Sequence, residues 1–243
     1  MAVDYSRHAA NYDRARADDV VDREFWLEGL VEIGGLQPGE RILDLGAGTG
    51  RFSQLLSPTN PVVAFDSSAA MLAGSRGKGP FERVLGDGHH LPFQPGSFDA
   101  TILVMVLHHL ADYPGTLREV ARVSRRVVLA TSDMATRDLG ILEEAFPSLL
   151  EIDRRRFPPI GGIVASLEAA GFRGVRAEER PYRRTLTVAA QLERVRRRYL
   201  STFDLLPPGE YESGLRFLED ELPRRYGDAF ELTASFTFVA ATK

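Results

Sequence analysis

Residues 41–52 read Arg-Ile-Leu-Asp-Leu-Gly-Ala-Gly-Thr-Gly-Arg-Phe: a short apolar run holding one carboxylate breaks into three alternating glycines and resumes with helical apolar spacing. That pattern is a buried strand, a tight turn and the start of a helix, so the chain opens an α/β unit with a ligand-binding turn. The dinucleotide fingerprint needs its third glycine one residue later, where this chain has Arg51. Asp44 beside the turn would repel a pyrophosphate and attract an ammonium. A ligand with an amino-acid head, an adenosine and no phosphate, S-adenosylmethionine, fits both features.

The alternation continues downstream. Pro61–Asp66 is a second apolar run ending in a carboxylate, Val84-Leu85 a third, Phe98–Leu107 a nearly continuous fourth and Arg126–Thr131 a fifth. Helical spacing over Phe52–Leu56 and Gly115–Val123 falls between strands, which implies right-handed crossovers and a doubly wound sheet. Beyond Thr131 the pattern loosens. It predicts a short helix around Leu139–Phe146, a basic run Arg154–Arg156, a helix over Gly161–Ala170 and a sixth strand over Gly174–Glu178. Helices over Val188–Tyr199 and Tyr211–Tyr226 and a last strand over Phe230–Thr242 follow. Ahead of the turn, Tyr5–Asp19 reads as a polar arm and Val20–Ile33 as an amphipathic helix. One domain over 1–243 is expected, with arm and helix at 1–35 and a cofactor-binding core at 36–131. Two insertions, 132–160 and 181–229, would cover the substrate side.

Whole-chain properties narrow the partners. Formal net charge is -4, so neither nucleic acid nor an anionic membrane is indicated globally. Cysteine is absent, which removes disulfides, thiolate metal sites and a cysteine nucleophile; no metal site is expected. The apolar run 100–107 is far shorter than the ~20 residues that span a bilayer. With no signal-peptide pattern at the start, a cytoplasmic location is expected. The arginine-rich stretch 173–198 raises a tRNA-modifying alternative, although Glu178, Glu179 and Glu193 interrupt it. A nicotinamide-dependent oxidoreductase is a third reading, disfavoured by the glycine spacing and Asp44.

Further motifs sit at the ends of the later strands: Asp66, then Asp87-Gly88 with Leu91-Pro92-Phe93, Ser97-Phe98-Asp99 and Leu107-His108-His109-Leu110. With the glycine turn and Tyr12-Asp13, these make the chain resemble a class I S-adenosylmethionine-dependent methyltransferase of the small-molecule branch that includes ubiquinone and menaquinone biosynthesis enzymes. The resemblance covers about residues 5–131. It implies a Rossmann-like seven-stranded sheet of order 3-2-1-4-5-7-6 with the last strand antiparallel, and methyl transfer to O, N or C of a small-molecule acceptor.

Within that resemblance Asp44 would meet the methionine ammonium, and Gly46, Ala47 and Gly48 would let the ligand approach bare backbone. Asp66, twenty positions after Gly46, would accept the ribose hydroxyls, with Ser67 beside it or capping the next helix. Met71 would pack on adenine or in the core, and Asp87-Gly88 would take the adenine amino group. Met105, near the end of the fourth strand, and Tyr12 complete the cofactor set; Tyr5 or Tyr12 could face the sulfonium. His108 and His109 are candidate general bases, with packing against a neighbouring helix as the alternative.

Overall fold

The first strand is buried along its whole length because both of its faces are covered. The structure, a computed structural model, describes residues 23–243; Tyr5, Tyr12 and Asp13 lie outside the described residues. Its strands are β1 (Ile42–Leu45), β2 (Val62–Asp66), β3 (Glu82–Leu85), β4 (Phe98–Val104), β5 (Ser124–Thr131), β6 (Arg173–Thr187) and β7 (Ala229–Thr242). They form one sheet of order β3-β2-β1-β4-β5-β7-β6. β1 to β5 pair in parallel and β7 runs antiparallel to both neighbours. The expected topology is therefore the observed one.

Strand alternation sends successive side chains to opposite faces. On one face Leu43, Leu45 and Leu103 pack on Leu117 and Val120 of α4 (Tyr113–Val123) and Ile163 of α7 (Ile160–Ala169). On the other, Ile42, Ala100 and Ile102 meet Trp26 of α1 (Arg23–Glu28), Leu56 of α2 (Arg51–Leu56) and Leu72 of α3 (Ala69–Gly74).

A third apolar cluster forms a helical cap. It joins α5 (Ile141–Ala145), α6 (Leu149–Arg156), α8 (Val188–Arg196) and α9 (Glu210–Tyr226) around Phe146, Leu149, Val195, Phe203 and Leu218. The two segments that interrupt the sheet thus share one core.

Three elements differ from the sequence reading. β6 runs to Thr187 instead of ending near Glu178, so the segment between β6 and β7 is 188–228. Its charged residues concealed it: as an edge strand it buries only Tyr182 and Leu186 and keeps Pro181 on its exposed side. The basic run ends a helix, α6, that the sequence reading does not contain; Leu149 and Leu150 anchor it and the arginines favour its C-terminus. β4 stops at Val104, and a 3-10 turn at Leu107–His109 follows.

A Cβ on Gly214 of α9 would run into the Phe146 ring and the Ala145 carbonyl. Gly214→Ala is therefore expected to lose about 1–3 kcal/mol of stability through overpacking. Urea unfolding measures this; a wild-type midpoint would show that the cap helices are not packed this closely.

Candidate active site

Parallel pairing of Leu45 with Phe65 brings the end of β1 beside the end of β2. The N–H groups of Gly46 and Ala47 both donate to the Phe65 carbonyl, at 2.8 and 3.0 Å. The Gly48 N–H donates to Asp66 Oδ2 at 2.7 Å, and the Ser68 N–H donates to Oδ1 at 2.8 Å. One carboxylate therefore ties both strand-to-helix turns. Burial raises the Asp66 pKa above the usual carboxylate value, opposed by N–H groups of Ser68, Gly48 and Ser67. Gly48 has φ +56°, and a Cβ there would stand 3.1 Å from Met71 Cε.

Asp44 lies beneath this turn and is 1% exposed. Ser53 of α2 donates its hydroxyl to Asp44 Oδ2 at 2.6 Å. Burial pushes the Asp44 carboxyl up to about 7, against the lowering effect of Ser53. The side chain organises the helix start and does not line the cavity described below. Met71 is buried on α3, and Ser67 is exposed. Ser68, not Ser67, caps α3, accepting from the Met71 N–H. Asp87 is exposed beyond β3 and accepts from the His89 backbone at 3.0 Å, with His89 Nδ1 2.7 Å from the same oxygen. Those contacts hold it below the usual carboxylate value. Gly88 packs near Leu45 and Thr116.

A cavity of about 340 Å³ opens over the carboxyl edge of the sheet, where doubly wound folds bind ligands. Gly46, Ala47 and Gly48 line one side, with Met105 at the end of β4. Met105 holds φ +55°, a sparsely occupied region for a non-glycine residue, and its N–H donates to the Ala130 carbonyl at 2.8 Å. An aromatic wall follows: Trp26 meets Phe236 at 4.7 Å and Phe52 at 5.5 Å between centroids, and Tyr182 lies 6.0 Å from Phe236. The cap supplies Arg137, Gln191, Arg194 and Tyr199.

Neither His108 nor His109 lines this cavity. The His108 ring stacks on Phe157 at 3.9 Å and 10°, and the His109 ring lies 3.9 Å from that of His108. His109 Nδ1 is 3.5 Å from Arg156 Nη2. Arg156 also donates to Thr202 Oγ1 and Ser201 Oγ and pairs with Asp153, whose carboxylate accepts the Thr202 hydroxyl. Both imidazoles are thus built into the joint between β4 and the cap.

Sequence reasoning found the glycine-turn side of the cavity and missed the rest. Trp26 was legible only as a helix-face residue and Phe236 only as a position on the last strand, and Tyr182 sits on strand alternation that the short β6 reading cut off. Arg137 lies in an irregular segment with no local signal. The arginine-rich stretch is interlaced with acids: Arg180 pairs with Glu32 and Glu178, Arg196 with Glu219, Arg197 with Glu193 and Arg198 with Asp204.

Comparison with known proteins agrees with this geometry. A family described as a methyltransferase domain matches residues 43–127. A demethylmenaquinone methyltransferase from Beutenbergia cavernae is 35% identical over 174 residues, covering 62% of this chain and 72% of the relative. A solved structure described as a methyltransferase of an antibiotic biosynthesis pathway from Anabaena variabilis superposes with a TM-score of 0.72 at 24% identity, covering 90% of this chain and 97% of that one. A phosphoethanolamine N-methyltransferase from Haemonchus contortus, solved with S-adenosyl-L-methionine, shares the fold at a TM-score of 0.57 and 17% identity, covering 97% of this chain and 60% of that one. These comparisons lend no support to the tRNA alternative. No helix among the described residues is long and apolar enough to cross a membrane.

Asp44 generates a pH prediction. Its folded pKa of about 7 exceeds the ordinary 3.8, so the folded state holds the proton more tightly than the unfolded one. Stability is then lost as pH rises between those values, by at most about 4 kcal/mol at ~1.4 kcal/mol per unit. Asp44→Asn keeps an acceptor for Ser53 and removes the titration. Its stability relative to wild type is expected to rise from pH 4.5 to pH 8 in urea unfolding; parallel profiles would show Asp44 ionised throughout.

Proposed function

Because the chain belongs to the class I S-adenosylmethionine-dependent methyltransferases, we propose that its cavity holds the reacting end of the cofactor against a small-molecule acceptor covered by the cap. The observation that carries this reading is the glycine turn forming one wall of a cavity lined by aromatic side chains. A nicotinamide reaction drops out with the family assignment.

The residues present fit the cofactor. The turn is bare backbone facing the cavity, and a Cβ at Gly48 would fill the approach next to Met71. We assign Gly46–Gly48 and Met105 to the methionine portion. Asp66 takes the ribose, since a carboxylate oxygen that accepts one N–H keeps a further lone pair. Met71, Ser67 and Asp87-Gly88 take the adenine side. Asp44 acts by holding the turn and α2 in place through Ser53. When bound, the cofactor supplies an electrophilic methyl group on a sulfonium.

The chain's part in the reaction is then alignment and dryness. Trp26, Phe52 and Phe236 give flat walls that fix the plane of an acceptor and exclude water. Their π faces also favour positive charge at the reacting centre. Among the described residues that line the cavity the carboxylates are Asp138 and Glu231, both at its outer side in the cap and β7. We therefore assign His108 and His109 to packing between β4 and α6, and no proton transfer to either ring.

Two measurements test this. Gly48→Ala forces a side chain into the left-handed region and towards Met71; calorimetry is expected to show S-adenosylhomocysteine affinity falling at least about tenfold, equivalent to ~1.4 kcal/mol, with cooperative unfolding retained. Unchanged affinity would remove the turn from the cofactor site. His108→Ala and His109→Ala are each expected to lower thermal stability while labelled-methyl transfer into a metabolite extract stays within about threefold of wild type. A loss of about a hundredfold with cofactor affinity unchanged would return the base role to that histidine.

A further inference from the structure

The cap side of the cavity carries a cation that no carboxylate among the described residues neutralises by contact. Arg137 lines the cavity, donates from Nη1 to Ser132 Oγ at 3.1 Å and lies with Cζ 6.0 Å from the Phe236 ring centroid. Among the described residues no carboxylate stands within ion-pair distance of it; Asp153 and Asp138 act on it only through space. Burial pushes its guanidinium below the ordinary value. The contrast is Arg156, another buried arginine of the cap, which is engaged by Asp153, Thr202 and Ser201. A desolvated guanidinium without a paired anion is costly, so its retention on a cavity wall points to a ligand that supplies one.

A second group points into the same space. Gln191 of α8 is 2% exposed and lines the cavity, and its Oε1 accepts no hydrogen bond from any described residue. A buried amide oxygen with no donor is a place for a ligand's O–H or N–H.

We propose that the methyl acceptor is an aromatic anion, its carboxylate or comparable oxyanion held by Arg137, its ring between the aromatic walls, and its O–H or N–H donated to Gln191 Oε1. This rests on the reading of the cavity as the acceptor site. Guanidinium recognises carboxylate by paired, planar hydrogen bonds, which makes Arg137 the residue that fixes acceptor class and orientation. The same chemistry has a second source, the carboxylate of the cofactor's methionine, so the test separates the two.

The probes are para-hydroxybenzoate, its neutral amide para-hydroxybenzamide, and benzoate, titrated calorimetrically into the full chain after S-adenosylhomocysteine binding has been measured and saturated. Para-hydroxybenzoate is expected to bind at least about tenfold tighter than the amide. Arg137→Gln should erase that preference and Arg137→Lys retain part of it. Gln191→Leu should erase the preference for para-hydroxybenzoate over benzoate, with S-adenosylhomocysteine affinity unchanged in all three variants. Equal binding of charged and neutral probes by wild type, or no binding of any probe, overturns the proposal while the donor site stands. A loss of S-adenosylhomocysteine affinity of about tenfold in Arg137→Gln and not in Gln191→Leu assigns Arg137 to the cofactor carboxylate and overturns it as well. Failure of S-adenosylhomocysteine to bind wild type is a different result, which removes the donor reading itself.

Discussion

The Gly48 N–H to Asp66 Oδ2 hydrogen bond holds the donor side of the molecule together. A turn of small residues has little packing of its own, so something outside it must fix its backbone. Here that is the neighbouring strand end: the Phe65 carbonyl accepts two N–H groups of the turn, and the next residue's carboxylate accepts a third. The β1–β2 register places these groups opposite one another, and Ser53 fastens Asp44 below them. The backbone of the turn is therefore held by contacts that belong to the fold itself.

The cap depends on that frame less directly. Its apolar cluster is separate from the two sheet faces and is built from segments distant in sequence. The joint between cap and core is polar and buried: the Asp153–Arg156–Thr202 group on one side, the paired histidines against Phe157 on the other. Buried polar joints of this kind specify one arrangement more than they add stability.

What could be read from the sequence follows from how local each signal is. β1, β2 and β4 are short apolar runs because both faces are covered, and the glycine turn is contiguous in sequence, so the strands and the cofactor class were legible from the residues, while the strand order came from the family resemblance. The acceptor side is assembled by tertiary contact. Arg137 after β5, Tyr182 on β6, Gln191 on α8 and Phe236 on β7 meet only because the antiparallel β6–β7 pair carries them over the sheet edge. β6 itself was shortened by its charged outward residues and Pro181, which read as loop. The histidine pair was visible by resemblance, with packing against a neighbouring helix weighed beside a base role; the stack of His108 on Phe157 is that packing. Asp44 was visible as a carboxylate beside the turn, whereas its burial under the turn depends on α2.

The two halves of the cavity differ in how they are made. The glycine turn offers bare backbone, tied to Asp66 and lying over the buried Asp44, whereas the cap brings side chains, Arg137, Gln191, Arg194 and Tyr199, to the opposite wall. Trp26, Phe52 and Phe236 stand between them and leave charges in that space poorly screened. Under the proposed reading a flat acceptor is aligned by these walls, and the proton that an O–H or N–H acceptor loses on methylation passes to solvent. Alignment and proton removal are then separate tasks, and the chain's own contribution is the first.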